Sequence, residues 1–219
     1  IRFHGLPFAR VRTLLGKEKA WFGIDRERRQ LSEENRSDLD VLVSDLETYR
    51  SHDCANKRHE LFRLAPEAWL ESVLRRNIKL LDANLILSPI YNQFRAASDK
   101  IDLLAIRKDG RLVIIELKTS PDREMVFQAA DYWRKIELQR RRGELKKANL
   151  FGGIEVIDKP ALVYAVAPAL CFHHDFDLFA RMIAKEIEIW RFELHENWRK
   201  EVKVLARRDY SSTLSRTNL

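Results

Sequence analysis

Near the middle of the chain, LVIIELK (112–118) reads as a strand buried on both sides. Side chains alternate along a strand, so Leu112, Ile114, Glu116 and Lys118 share one face while Val113, Ile115 and Leu117 share the other. Apolar residues on both faces place such a strand in the middle of a sheet covered by helices. Two charges at its end are costly there, since a buried carboxylate without a partner costs on the order of several kcal/mol.

The preceding strand brings a third charge. In IDLLAIRKDGRLVIIELK (101–118), two apolar runs are joined by Lys108-Asp109-Gly110, and Asp-Gly is a strong hairpin signal. Antiparallel pairing about that turn sets Asp102 beside Glu116 and Lys118. Two carboxylates and an ammonium at one end of a sheet suit magnesium or manganese, with coordination positions left for water and a substrate phosphate. A metal held by Asp102 and Glu116 polarises a phosphodiester oxygen and acidifies a bound water. Lys118 then orients that water, deprotonates it or neutralises the developing anion, and the sequence leaves all three roles open.

The remaining elements follow from periodicity. Residues 1–55 are charged and poor in strand patterns, and Leu39, Leu42, Val43, Leu46 and Tyr49 recur at helical spacing behind Ser37, a cap with Asp40 completing a capping-box-like start. A mainly helical N-terminal extension is expected. PEAWLESVLRRNIKLLD (66–82) predicts a helix of about four turns opening on Pro66. LILSPIYNQF (85–94) predicts a strand with Pro89 at an edge or bulge, and RAASDK (95–100) a turn. Ser120-Pro121 predicts the start of a helix running through residues 122–145. PALVYAVAP (160–168) reads as a strand, DFDLFARMIAKEI (175–187) as a helix, and IEIWRFEL (187–194) with EVKVLAR (201–207) as a closing strand pair. This order predicts an α/β fold over residues 56–219, a central mixed β-sheet flanked by helices.

At 219 residues and 45% apolar the chain can bury a core, and it has no run of about 20 uncharged apolar residues and no secretory signal. A soluble, cytoplasmic protein is expected, with no membrane partner. The chain opens on Ile1 rather than methionine, leaving room for residues upstream. Cys54 and Cys171 lack CxxC spacing and read as reduced thiols. The net charge of +7 leans only weakly towards a polyanionic partner. Arg75-Arg76, Arg134-Lys135, Arg140-Arg141-Arg142 and Lys146-Lys147 either track a phosphate backbone or form a solvated helix face with Glu137 and Glu144 interleaved. Trp133 is expected in the core rather than against a base. His173-His174-Asp175 is expected to close a strand and cap a helix, and Gly152-Gly153 to turn the chain.

Asp102 followed by Glu116-Leu117-Lys118 at the end of an apolar strand resembles the D-(x)n-E-x-K signature of the PD-(D/E)XK nuclease superfamily. Gln128 and Tyr132, one helical turn apart, are similar to the Q-x-x-x-Y element of its RecB-like branch. PEAWLESVLRRNIKLLD resembles the first helix of the nuclease core, where Glu71 matches a glutamate that often joins the metal site. The arrangement WLE…LL…IDLLAIRKDGRLVIIELK…QAADYW is most similar to the catalytic domain of NucS-like endonucleases. The resemblance covers about residues 60–140, has Lys100-Ile101 where members often carry a proline, and leaves residues 1–55 uncovered. It implies a restriction-endonuclease-like core and Mg2+-dependent (or Mn2+-dependent) endonuclease cleavage of DNA by Asp102, Glu116 and Lys118. Gln128 and Glu71 would support the site, and Tyr132, Arg134 and Lys135 would lie against nucleic acid. Apart from the resemblance, residues 1–55 are expected to supply either a homodimer contact or a substrate clamp. The rival expectation is a nuclease-fold module that binds nucleic acid or scaffolds an assembly without cutting; a third is a protein for another phosphorylated ligand.

Overall fold

The computed structural model describes residues 1–14, 16–88, 101–183 and 187–211, in two units, Ile1–Val73 and Leu74–Leu219. The first unit opens on strands. β1 (Arg2–Phe3) pairs with β2 (Leu6–Pro7), and β3 (Ala9–Leu14), β4 (Lys17–Phe22) and β5 (Arg29–Gln30) form an antiparallel sheet in the order β3-β4-β5. The expected mainly helical extension over 1–55 is thus corrected, and the division falls at Val73 rather than residue 55. Arg10-Val11-Arg12-Thr13 does alternate, but charged residues on a solvent-facing strand lack the apolar beat by which a strand is usually read.

Three helices complete this unit: α1 (Arg36–Tyr49), α2 (Glu60–Arg63) and α3 (Pro66–Arg76), the last crossing the division. α1 begins one residue ahead of Ser37, which therefore lies inside the first turn. Asn35 precedes the helix instead, its Oδ1 accepting the Ser32 N–H at 2.9 Å. Arg50, just past α1, is fully buried. Its guanidinium donates to the carbonyls of His4 (2.9 Å), Leu61 (2.9 Å), Leu64 (2.6 Å) and Ala65 (3.3 Å), and lies 4.9 Å from the Trp69 ring. His4 and Ala65 both have φ of 41°, in the left-handed region, so one side chain gathers the carbonyls of two strained residues. Beside them Gly5 has no room for a side chain, because an added Cβ would lie 1.9 Å from the Ala68 carbonyl oxygen.

In the second unit α3 stops at Arg76, Asn77 leaves the helical region and a 3-10 turn follows over Ile78–Leu80. Then come β6 (Leu85–Leu87), β7 (Leu103–Arg107), β8 (Leu112–Leu117), α4 (Met125–Arg141), α5 (Glu144–Lys147), β9 (Leu162–Pro168), α6 (Phe176–Met182), β10 (Glu188–Leu194) and β11 (Val204–Asp209). The strands form one sheet in the order β11-β10-β9-β8-β7-β6, with β8, β9 and β10 parallel and the flanking pairs antiparallel. This is the mixed six-stranded sheet flanked by helices that the element order predicts. Pro89, the rest of its expected strand and the turn at 95–100 lie outside the described residues, as do 184–186 of the helix expected over 175–187.

Every residue of β8 and β9 is buried. α4 packs across both strands: Ile136 shares one buried cluster with Leu112 and Ile114, and Met125, Val126 and Ala129 share another with Val163 and Ala165. Each fully buried Leu, Ile or Val of this layer contributes about 1.5–3 kcal/mol. The β7–β8 turn forms as Lys108-Asp109-Gly110 predicts, with Gly110 at φ 87° and its N–H donating to the Arg107 carbonyl.

Candidate active site

The hairpin register builds the site. Leu103 pairs with Ile115, so Asp102, one residue before β7, stands opposite Glu116, and its Oδ2 accepts the Leu117 N–H at 2.9 Å. The Asp102 carbonyl accepts from the Arg75 guanidinium at 3.3 Å. Glu116 pairs with Ala165 of β9 and lies on the α4 side of the sheet, where it is 3% exposed. Lys118 follows on the same face, its Nζ 3.5 Å from Glu116 Oε1, 2.8 Å from Gln128 Oε1 and 2.9 Å from Asp122 Oδ2. Asp102, Glu116, Lys118 and Gln128 are therefore brought to one end of the sheet, at the C-terminal end of two parallel strands, where open α/β sheets form their crevices.

Asp122 is the member that the sequence reading missed. α4 begins at Met125, not at Ser120-Pro121, because residues 121–124 form a turn in which Asp122 Oδ1 accepts the Glu124 N–H at 2.8 Å and Oδ2 faces Lys118. Burial acts to raise the pKa of Asp122, but the hydrogen bonds from Lys118 and Glu124 and the charge of Lys118 carry it below the usual carboxylate range. The available signal was an aspartate four residues beyond a buried lysine.

The other expected site residues separate into two groups. Glu71 is buried at 6% on α3, in the first unit. Tyr132 packs against the core cluster that contains Leu104 and Ile114, with the Lys135 ammonium 5.8 Å from its ring. Arg134 and Lys135 both bind Asp131, at 2.9 and 2.6 Å, and these hydrogen bonds, that of Lys135 foremost, lower the Asp131 pKa. Trp133 belongs to the core, its Nε1–H donating to the Ala161 carbonyl at 2.9 Å. Arg140 is held by buried Glu137 and by Asp158, and Glu137 also accepts the Ala161 N–H at 2.8 Å, which ties α4 to the start of β9. Arg142 faces Glu144 at 3.8 Å and Lys146 faces Glu155. The basic residues of α4 and α5 are thus largely matched by carboxylates.

Among the described residues, the one trio of His, Cys, Asp or Glu ligand atoms within 4.8 Å of one another is His173-His174-Asp175. It follows β9 near the exit of β8: the neighbouring Cys171 thiol donates to the Thr119 carbonyl at 3.1 Å. His173 Nδ1 accepts the Asp175 N–H at 3.2 Å, and Asp175 precedes α6 without a side-chain cap bond. Among the described residues no helix is long and apolar enough to cross a membrane. No protein-family model, curated protein or solved structure matches the chain.

Proposed function

We propose that this chain is a metal-dependent nuclease that hydrolyses phosphodiester bonds in nucleic acid, with DNA the substrate that the D-(x)n-E-x-K resemblance implies. The observation that carries the reading is the placement of Lys118 between Glu116 and Gln128, with the Asp102 carboxylate across the hairpin. Asp102 and Glu116 offer hard oxygen ligands on neighbouring strands, a donor set that fits magnesium or manganese. Bound there, the ion supplies Lewis acidity at phosphorus and a more acidic water. Gln128 and Asp122 fix the Lys118 ammonium, so its position is set before substrate arrives and it can orient the attacking water or meet charge on the phosphate. Leu117 N–H orients Asp102 in the same way. The reading rests on these second-unit residues, with Glu71 not required. A restriction-endonuclease-like core agrees with the mixed sheet, and a cytoplasmic setting agrees with the free thiols Cys54 and Cys171.

The second reading, a nuclease-fold module that binds or scaffolds without cutting, is favoured by the Asp122 ion pair, which neutralises the lysine that catalysis would use. Incubation with circular and linear DNA and with RNA, in magnesium, manganese or EDTA, separates the two. Cleavage that needs metal and disappears in Asp102→Ala and Lys118→Ala supports the nuclease; loss of the circles marks an endonuclease. An inert parent protein under all these conditions overturns it.

A further inference from the structure

Charge is distributed differently in the first unit. The β3–β4 register sets Arg10 opposite Trp21, Arg12 opposite Lys19 and Leu14 opposite Lys17. Directly opposed residues and every second residue along a strand share a face, so Arg10, Arg12, Lys17, Lys19 and Trp21 lie together, and Gln30, opposite Trp21 on β5, extends the face. The four cations are exposed, Trp21 is half-buried, and the Arg10 guanidinium lies 5.3 Å from the Trp21 ring. Among the described residues none of the four cations lies within ion-pair distance of a carboxylate, and Glu18 points to the opposite face. The helices of the second unit show the reverse, with their basic residues largely matched.

Folding alone does not call for this arrangement. Like charges directly opposed across a strand pair, as Arg12 and Lys19 are, weaken the pair. Protection of a sheet edge would be met equally by charges of mixed sign, which attract across the pair. Here every charge on the face is positive, and an aromatic ring stands among them. A local arrangement that costs stability without a structural return points to a function.

We infer that this face binds single-stranded nucleic acid, with phosphates along Arg10, Arg12, Lys17 and Lys19 and a base stacked on Trp21. A positive strip that follows the backbone and an aromatic platform for a base are the two parts that single-strand recognition uses. Successive charged pairs stand about 7 Å apart along the strands, so the strip extends over several nucleotides. Duplex bases are stacked on one another and offer Trp21 no free face. The inference reaches beyond the nuclease reading, because binding here requires neither Asp102 nor Glu116.

The test is fluorescence anisotropy of the full chain with a labelled oligothymidine longer than about 16 nucleotides, in EDTA, over a salt series. Trp21→Ala should weaken binding about tenfold while Trp21→Phe, which keeps a stacking ring and the fold, should retain most of it. Arg12→Ala with Lys19→Ala should make the slope of log K against log salt shallower by about 1.4. Asp102→Ala should bind as the parent does even where it abolishes cutting, so the two readings fail separately. Unchanged affinity in the Trp21 and Arg12/Lys19 variants overturns the inference. Equal binding of duplex and inorganic polyphosphate, indifferent to Trp21, overturns it in favour of a general polyanion surface, and preference for phosphatidylserine vesicles overturns it in favour of a membrane surface.

Discussion

Lys118 and Asp122 hold each other at 2.9 Å, closer than the 3.5 Å between Lys118 and Glu116. The ammonium is thus clamped by the turn that leaves β8 as well as by the strand itself. If Lys118 acts in catalysis, Asp122 acts through it as a positioning residue. Lys118→Ala should then lower the cleavage rate by about 10²–10⁴-fold, and Asp122→Asn should lower it less and displace the pH–rate profile. Equal losses in the two variants, with identical profiles, would count against this division of roles.

The same contact predicts a pH dependence of stability. The folded pKa of Asp122 lies below its ordinary value, so the stabilisation is present above the usual carboxylate range and is lost as pH falls through and below it. Melting temperature followed from neutral to acid pH should fall less steeply in Asp122→Asn than in the parent. Superimposable acid limbs would refute the linkage.

At the other end of the pH scale the relevant group is Tyr210. Burial, then the hydrogen bond to Asp177 and its charge, push the phenol up to about 12 from 10.0. A raised pKa stabilises the fold below the ordinary value, and the benefit disappears as pH rises through the raised one. Parent protein should lose stability between about pH 10 and 12. Tyr210→Phe should show a smaller loss over the same interval in alkaline melting curves, and an identical loss would show that another group titrates.

The sheet and most of the candidate site are legible in the sequence because both rest on local signals. LVIIEL and LVYAVAP are apolar on both faces, Asp109-Gly110 marks the hairpin, and from that hairpin Asp102 falls opposite Glu116. What escapes is what depends on partners distant in sequence or on water. Strands β3 and β4 carry charges where a buried strand carries valine, so their alternation reads as helix or loop. Asp122 follows Ser120-Pro121, a pair that resembles a helix start, and only the folded position of Lys118 shows why the turn is extended. Arg50 looks like any arginine at a helix end until the carbonyls of residues 4, 61, 64 and 65 surround it.

Arg50 supports a stability prediction. Arg50→Met leaves four partly buried carbonyls without their donor, and an acceptor that loses its partner out of reach of water costs about 1–3 kcal/mol. Unfolding in denaturant should show a loss of about 3 kcal/mol or more for the first unit. Arg50→Lys should recover little, because an ammonium cannot reproduce the planar fork that reaches four carbonyls. A cost under about 1 kcal/mol would mean that water replaces the guanidinium.

The reach of Arg50 also orders events in time. Its guanidinium joins His4, between β1 and β2, to Leu61, Leu64 and Ala65, so β1 and β2 lack this anchor when they leave the ribosome. They acquire it only after residue 65 has followed them out. Synthesis therefore leaves β1 and β2 without this anchor for the interval needed to make some sixty further residues, about 3–12 s at ordinary elongation rates.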